Sequence, residues 1–312
     1  MGWSATDIPE QSGRRIVVTG ATSGIGLVTA AELARHGARV TLAVRDEARG
    51  REVAAAMTGE VDVRHLDLAR LSSVRAFAES WDGPLDVLVA NAGVMATPHQ
   101  RSADGFELQI ATNHLGHFAL TNLLLPALTD RVVVVSSQAH RMGRIDLEDL
   151  TWDRRRYRPW AAYGQSKLAN LLFVWELQRR LDEAGSPLRA LAAHPGYAAT
   201  RLQARTANPV LNAVPGWLTR LVAQSAEDGA LPSLYAATQD LPGRTYVGPG
   251  GLLEQRGAPK IVGRSGAACD DTVGRRLWEL SERLTGVEWP LGPDRDARGA
   301  SRRRAPPAGF KP

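Results

Sequence analysis

Cysteine is almost absent from this sequence of 312 residues, which contains only Cys269. A disulfide bond within the chain and a cysteine-based metal site are therefore excluded, and we expect no metal. The sequence also lacks an apolar run long enough to span a bilayer, and residues 1–11 lack a basic segment followed by an apolar one. We therefore expect a cytoplasmic protein without integral membrane association.

Positive charge is concentrated at one end of the chain. The net charge is +5, but residues 291–312 contain six Lys or Arg and two Asp, which accounts for +4. The remainder is nearly neutral, so we do not expect nucleic acid to be a partner. The Arg-, Pro-, Gly- and Ala-rich composition of 291–312 predicts a disordered basic tail, with contact to an anionic surface as the alternative.

A glycine-rich turn follows the first predicted strand. Arg15–Thr19 is a β-branched run typical of a buried strand, and Leu27–His36 has helical periodicity. The glycines between them are spaced G-x-x-x-G-x-G, and they would let backbone N–H groups approach a pyrophosphate at the start of the helix. The residues predicted to bind a dinucleotide in this turn are Gly20, Thr22, Ser23, Gly24, Ile25 and Gly26.

Two charged residues follow the second predicted strand, Arg39–Val44. Arg45 and Asp46 stand about twenty residues beyond the glycine turn, where an arginine accommodates the 2′-phosphate of NADP and an acidic residue binds the ribose of NAD. Because Arg45 comes first, the sequence favours NADP, with NAD as the alternative that Asp46 leaves open. Both could also be solvated loop charges.

The next two predicted strands also end in candidate cofactor contacts. Val61–Leu66 leads to Asp67 and Leu68, and Asp67 could accept a hydrogen bond from an adenine amine or cap the helix that begins near Ser72. Leu85–Ala90 leads to three small or polar residues, against whose backbone a flat cofactor could lie. These residues are Asn91, Ala92 and Gly93.

A long helix and a fifth strand complete the pattern. The predicted helix over 106–125 contains Asn113, His114 and His117, one of which we expect to face inward, and the strand Arg131–Val135 ends at Ser136-Ser137. Strand and helix alternate five times, which predicts an α/β fold with a doubly wound parallel sheet and a ligand site at the carboxyl ends of its strands.

Tyr163 and Lys167 stand four residues apart at the start of a predicted helix, Lys167–Arg180, and would share one face of it. An ammonium about 5 Å from the phenol, at an effective dielectric near 20, would favour the phenolate by roughly 3 kcal/mol, or about two pKa units. Tyr163 could then act as a general acid or base. The structural alternative is a buried tyrosine beside a surface lysine.

In this order, these motifs resemble the short-chain dehydrogenases/reductases, in the branch of retinol dehydrogenases and protochlorophyllide reductases. The resemblance spans residues 14–289 and implies a Rossmann fold. The matching motifs are Thr19-Gly20-x-x-x-Gly24-Ile25-Gly26, Asn91-Ala92-Gly93, Asn113, Ser137, Tyr163-x-x-x-Lys167 and Pro195-Gly196.

The resemblance assigns the catalytic roles. It implies that Tyr163 is the general acid or base, that Ser137 binds the substrate carbonyl, and that Lys167 holds the nicotinamide ribose and lowers the pKa of Tyr163. Asn113 would hold a water that passes protons to Lys167. Composition does not separate Ser137 from Ser136.

The resemblance also implies the activity. Pro195, Gly196 and Thr200 would contact the nicotinamide carboxamide, whereas His194 is expected to be structural. We therefore expect an NADP(H)-dependent oxidoreductase that interconverts a small-molecule carbonyl and alcohol with transfer of the pro-S hydride. The alternatives are an NAD-linked alcohol dehydrogenase and a catalytically silent nucleotide-sensing protein. A light-driven reductase is disfavoured because Cys269 lies far from the predicted lid.

The remaining segments are expected to set substrate choice. Residues 1–13 are an N-terminal extension, and 14–290 form one domain with an unusually long insert before Tyr163, 138–162. The insert's arginines are expected to be solvated, with an acidic substrate or partner as the alternative.

The apolar segment 201–225 is a predicted substrate lid that suggests a hydrophobic or bulky substrate. The alternative is a packing or dimer surface. The helix predicted over 274–284 would cover the substrate mouth or pack outside, and a homodimer or homotetramer is compatible with the sequence.

Overall fold

The computed structural model describes residues 2–196 and 225–291, whose strands form a single eight-stranded sheet. In chain order the strands are β1 (Arg15–Thr19), β2 (Arg39–Val44), β3 (Glu60–His65), β4 (Leu85–Ala90), β5 (Leu128–Val135), β6 (Arg189–Ala193), β7 (Tyr246–Pro249) and β8 (Pro259–Ile261). They lie in the order β3-β2-β1-β4-β5-β6-β7-β8, and all neighbours are parallel except β7 and β8. The predicted doubly wound parallel sheet is therefore confirmed.

Helices follow the strands and cover both faces of the sheet. They are α1 (Gly24–Arg35), α2 (Glu47–Ala54), α3 (Leu71–Glu79), α4 (Leu108–Ile110), α5 (Gly116–Leu124), α6 (Pro159–Glu183), α7 (Ala226–Thr238) and α8 (Asp271–Thr285). Because both faces are covered, central strands contain consecutive apolar residues, Ile16–Val18 in β1 and Val132–Val135 in β5. No helix among the described residues is long and apolar enough to cross a membrane.

Two predicted helices differ from the observed ones. The helix expected over 106–125 is interrupted by a π-helical turn, Ala111–Leu115, between α4 and α5. The helix that carries Tyr163 and Lys167 begins at Pro159 rather than at Lys167, because proline is well suited to the first helical position. Tyr163 therefore lies inside α6, where its side chain is fixed by the helix.

The C-terminal helix α8 packs against the outside of the helical layer. The Trp278 ring lies with its centroid 4.9 Å from that of Phe118 on α5 and 5.7 Å from that of Phe173 on α6. Trp278 is buried in the core on this face of the sheet. Of the two placements predicted for this helix, packing on the outside is confirmed.

The last two strands of the sheet, β7 and β8, are short. Arg244 has a positive φ of 63°, β7 begins at Tyr246, and the short antiparallel strand β8 follows it. β8 has three residues, of which Lys260 and Ile261 are exposed, so it shows no apolar alternation that could reveal it in the sequence.

The ends of the predicted domain are only partly described. In the N-terminal extension Ile8 is buried in the core, and the Trp3 ring packs edge-on against Tyr235 of α7 at 5.1 Å. The predicted lid up to residue 224, Thr200 and the basic tail from residue 292 lie outside the described residues.

Candidate active site

The glycine turn after β1 and the Asn91–Gly93 loop after β4 interlock at the carboxyl edge of the sheet. Gly20 has a φ of +68°, and a Cβ added there would lie 2.9 Å from the Cα of Ala92. A Cβ added at Gly26 would lie 2.3 Å from Asn91 Nδ2 and 2.6 Å from the Gly20 carbonyl oxygen. Glycine is therefore required at both positions if the turn and the loop are to keep this contact.

Thr19 joins the loop to the end of β1. Its Oγ1 accepts hydrogen bonds from the backbone N–H groups of Asn91 and Ala92, both at 2.9 Å. In return, Asn91 Nδ2 donates to the Thr19 carbonyl oxygen at 2.8 Å. The Asn91 side chain therefore fixes the loop after β4 to the end of β1.

His117 extends this network to Asn113, a contact that the sequence analysis missed. Its Nδ1 lies 3.1 Å from the Asn113 carbonyl oxygen, and its Nε2 lies 2.9 Å from Thr19 Oγ1. Because a carbonyl can only accept, Nδ1 carries the proton and Nε2 accepts from the threonine hydroxyl. Burial lowers the pKa of His117 to about 4, so the ring is neutral. His114 and Asn113 are buried as well, whereas only one inward polar group was expected.

The Asn113 side chain is fully hydrogen-bonded within the π-helical turn. Its Oδ1 accepts from Val94 N at 2.8 Å, and its Nδ2 donates to the Val94 carbonyl at 2.9 Å and to Ser166 Oγ at 2.8 Å. A Cβ added at Gly93 would lie 3.1 Å from Asn113 Oδ1 and 3.5 Å from Lys167 Nζ. The missing side chain at Gly93 thus brings loop backbone close to both polar groups. π-helical turns of this kind are frequent at functional sites.

The two serines after β5 have different surroundings. Ser136 is buried, and its hydroxyl donates to the Lys167 carbonyl at 2.8 Å. Ser137 is half-buried and caps the 3₁₀ turn Gln138–Met142, with its Oγ accepting from Ala139 N at 3.2 Å. Ser136 is therefore occupied with holding α6, whereas Ser137 faces Tyr163.

Tyr163 and Lys167 share one face of α6, but the expected direction of the tyrosine pKa was wrong. Burial raises the pKa of Tyr163 to about 12, and its hydrogen bond with the Ser137 side chain opposes that rise. Burial also lowers the pKa of Lys167 to about 8. Lys167 Nζ lies 5.8 Å from the Tyr163 ring centroid and donates to the Val135 carbonyl at 3.0 Å. The cost of removing the phenolate from water thus exceeds the stabilisation by the Ser137 hydrogen bond.

The candidate adenosine contacts lie at the ends of β2 and β3. Arg45 is exposed. Asp46 caps α2, because its Oδ1 accepts from Arg49 N at 3.0 Å. Asp67 does not cap α3, as one alternative predicted: its Oδ1 accepts from Ala69 N at 3.0 Å, and the residue at the N-cap is Arg70.

The backbone beside Asp67 fits tightly against α5. A Cβ added at Gly116 would lie 2.4 Å from the Leu68 carbonyl oxygen. Leu68 itself is buried. Leu68 therefore connects the carboxyl edge of the sheet with the start of α5.

The turn after β6 is held by His194, as expected for a structural residue. His194 Nδ1 accepts from Gly196 N at 3.1 Å, and Nε2 donates to Glu254 Oε2 at 3.1 Å. Burial lowers the pKa of His194 to about 3, so this contact joins a neutral imidazole to a carboxylate. Gly196 has a φ of +68°, and a Cβ there would lie 2.5 Å from the Gln255 carbonyl oxygen.

The insert before Tyr163 has its own internal structure. Asp149 accepts from the backbone N–H groups of Asp153 and Arg155, and the Arg155 guanidinium lies 3.7 Å from the centroid of the Trp152 ring. Arg155 is thus half-buried, whereas Arg154 and Arg156, on either side of it, are exposed. The prediction of solvated arginines is confirmed for the two exposed ones and wrong for Arg155.

Tyr157 connects the insert to α4, a contact that the sequence analysis also missed. Its hydroxyl donates to Glu107 Oε1 at 3.0 Å and accepts from Gln109 Nε2 at 2.7 Å. Glu107 is buried and caps α4 by accepting from Gln109 N and Ile110 N. The insert is therefore fixed to the helix that leads to Asn113.

The protein combines a doubly wound sheet with a glycine turn after β1. Ser137 follows β5, and Tyr163 and Lys167 of α6 lie beside it. This is the architecture of a dinucleotide-dependent oxidoreductase. Residues 14–210 match the short chain dehydrogenase family. The chain belongs to this family, in its retinol dehydrogenase-like branch. Members bind a nicotinamide cofactor and act on small molecules, so the protein is an oxidoreductase of carbonyl and alcohol groups.

Relatives and a solved structure agree with this assignment. The chain is 43% identical to human retinol dehydrogenase 13 over 297 residues, covering 89% of this chain and 86% of the relative. It is 44% identical to mouse polyprenol dehydrogenase over 296 residues, covering 90% and 86%. The crystal structure of an uncharacterised protein from Mycobacterium paratuberculosis is 56% identical, with a TM-score of 0.82, covering 93% of this chain and 100% of that one.

Proposed function

We propose that the protein is an NADP(H)-dependent oxidoreductase that interconverts an apolar carbonyl compound and its alcohol, with Tyr163 as general acid and base. The observation that carries this proposal is the arrangement at the end of β5. Tyr163 is hydrogen-bonded to Ser137, and Lys167 Nζ is held on the same side by the Val135 carbonyl at 3.0 Å. These are the groups required to bind a carbonyl oxygen and to give it a proton.

The carboxyl edge of the sheet fits a nicotinamide dinucleotide. Side chains are missing at Gly20, Gly26 and Gly93, where a Cβ would meet the opposing loop or Asn113. The Ser23 side chain makes no capping hydrogen bond to α1 within the described residues, which leaves the first N–H groups of α1 to a phosphate. The residues proposed to hold the cofactor are Gly20, Thr22, Ser23, Gly24, Ile25, Gly26, Arg45, Asp67, Leu68, Asn91, Ala92, Gly93, Tyr163, Lys167, Pro195, Gly196 and, outside the described residues, Thr200.

The preference for NADP rests on Arg45 and Asp46. The Asp46 carboxylate is used to cap α2, so it is less suited to bind a ribose hydroxyl. Arg45 is exposed at the end of β2, where its guanidinium can reach a 2′-phosphate. A positive side chain there favours the phosphorylated cofactor.

The mechanism follows from the surroundings of the two hydroxyl groups. When bound, the cofactor supplies or accepts the hydride. Ser137 and Tyr163 donate hydrogen bonds to the substrate oxygen, and Tyr163 then gives it the proton. Burial raises the pKa of Tyr163 to about 12, so the phenol is protonated at neutral pH, the form that the acid of the reducing direction must have.

The proton lost by Tyr163 is replaced through Lys167. The Asn113 side chain already bonds Val94 and Ser166, and we propose that the backbone carbonyl oxygen of Asn113 binds the water in this path. That carbonyl accepts one hydrogen bond from His117 and has a second lone pair for the water.

An apolar substrate is supported by the surface beside Tyr163. Trp160 is 39% exposed and lies edge-on to the Tyr163 ring, with centroids 6.2 Å apart. Met142 is exposed at the end of the serine-bearing turn, next to Gly164. The names of the two relatives point to retinol and polyprenol, both apolar isoprenoid alcohols. We therefore propose that an isoprenoid alcohol or aldehyde is the substrate class.

The test is NADPH oxidation with apolar aldehydes, retinal included, by the wild type and by Tyr163→Phe. Removing the phenol oxygen is expected to lower kcat by at least about a hundredfold, the lower end of the contribution of a positioned acid, while NADPH binding persists. Tyr235→Phe is the matched control, since Tyr235 lies on α7 and packs against Trp3 of the N-terminal extension. Full activity of Tyr163→Phe would contradict the mechanism.

A further inference from the structure

The segment from β7 to β8 contacts both of the turns that form the reactive end of the site. One is the 3₁₀ turn Gln138–Met142, which begins directly after Ser137. The other is the turn after β6 that contains Pro195 and Gly196. Neither contact was expected from the sequence, because β8 was not predicted.

Glu254 is the side chain that reaches both turns. Its Oε2 accepts hydrogen bonds from Gln138 Nε2 in the first turn and from His194 Nε2 in the second. Its Oε1 lies 3.6 Å from Arg141. One carboxylate therefore bridges chain segments that leave two neighbouring strands, β5 and β6.

The backbone around Glu254 is held in an unfavourable conformation. Leu253 has φ 53° and ψ 25°, and Glu254 has a φ of 54°. Two consecutive residues with side chains rarely adopt this left-handed region, and such strain persists where surrounding contacts enforce it. The conformation turns Glu254 toward the two turns and leaves Leu253 73% exposed. A carboxylate that served only as a surface ion pair would not require it.

Two further contacts hold the serine-bearing turn from the same side. His140 Nδ1 donates to the Ser137 carbonyl at 2.7 Å, and its Nε2 accepts from Ser265 N at 3.2 Å. Arg141 donates to the Gly263 carbonyl at 3.2 Å. The position of Ser137 thus depends on the segment that follows β7. The Glu254 side chain in this segment also reaches the turn after β6.

We propose that Glu254 is a positioning residue that fixes the serine-bearing turn relative to the Pro195–Gly196 turn. This assignment rests on the proposed function, in which Ser137 binds the substrate oxygen and Pro195 and Gly196 contact the nicotinamide. Hydride transfer depends on the distance between the substrate and the nicotinamide, and a misplacement of about 1 Å can cost a hundredfold in rate.

The kinetic test compares Glu254→Gln with the wild type, using an apolar aldehyde and NADPH. An amide in place of the carboxylate must turn an NH₂ group toward Gln138, Arg141 or His194, all of which donate. We expect kcat to fall about ten- to a hundredfold, the deuterium isotope effect from labelled NADPH to rise, and the NADPH dissociation constant to change less than about threefold. Asp240→Asn is the matched control, because it neutralises an exposed carboxylate paired with Arg189. Unchanged kcat and isotope effect in folded Glu254→Gln would overturn the assignment.

Hydrogen exchange tests the same contact without a substrate. In the first turn, the His140 amide donates to the Ser137 carbonyl oxygen. In the second turn, the Gly196 amide donates to His194 Nδ1. Both should exchange faster in Glu254→Ala than in the wild type, and neither should change in Asp240→Asn. Unchanged exchange would overturn the assignment even if the wild type reduced no aldehyde, whereas faster exchange in an inactive protein would refute only the proposed function.

Discussion

Lowering the pH from 7 to 5 is expected to destabilise the folded protein through its buried histidines, and most strongly through three of them. Burial lowers the pKa from 6.5 to about 3 for His114, to about 4 for His117 and to about 3 for His194. A histidine whose pKa is lowered in the folded state binds protons less well there than in the unfolded chain. The loss of stability therefore begins as the pH falls below 6.5 and continues to about pH 3–4.

The size of the effect follows from these pKa values. At pH 5 the unfolded histidine is almost fully protonated and the folded one is not, which costs about 2 kcal/mol for each group. Three such groups cost about 6 kcal/mol together, a large part of the 5–15 kcal/mol stability of a typical domain. Glu107, whose pKa is raised by burial, works in the opposite direction, since it takes up a proton more readily in the folded state.

Urea unfolding at pH 7 and pH 5 measures this loss directly. The wild type should lose several kcal/mol of unfolding free energy, and His117→Leu should lose about 2 kcal/mol less, because one titrating group is gone. His36→Leu is the matched control, since His36 lies at the end of α1 outside the buried network. A wild type that is equally stable at both pH values, or a His117→Leu variant with the full pH-dependent loss, would refute the reasoning.

Two further predictions concern specificity. Arg45→Ala should raise KM for NADPH about tenfold more than KM for NADH, because the variant loses one hydrogen bond to a charged phosphate. Equal changes of the two KM values in steady-state kinetics would contradict the NADP assignment. Trp160→Ala should raise KM for an apolar aldehyde with little change in kcat, and Trp160→Phe should restore it. A Trp160→Ala variant with unchanged KM would show that this ring does not contact the substrate.

The parts of the site that follow strands could be predicted from the sequence. The glycine turn, the Asn91–Gly93 loop and Ser137 each follow an apolar run, and the carboxyl ends of parallel strands meet at one edge of a sheet. Tyr163 and Lys167 were recognised by their spacing of four, which places two side chains on one helix face. These patterns are local, so they are visible without the fold.

What could not be predicted depends on contacts between distant segments. The direction of the Tyr163 pKa is set by burial, which no local pattern shows. The hydrogen bond from Gln138 to Glu254 joins residues 116 positions apart. Helical periodicity alone predicts a continuous helix at Asn113, whereas the structure has a π-helical turn there, and the Asn113 side chain binds the backbone of Val94.

The central claim is that Tyr163 gives a proton to a substrate oxygen while a hydride reaches the adjacent carbon. The most direct measurement uses NADPH labelled with deuterium at the pro-S position of the nicotinamide. The enzyme reduces retinal with this cofactor, and mass spectrometry analyses the alcohol that forms. We predict an alcohol with one deuterium on its hydroxyl-bearing carbon, formed by the wild type and not by Tyr163→Phe. An unlabelled alcohol, or a labelled one formed equally well by Tyr163→Phe, would contradict the claim.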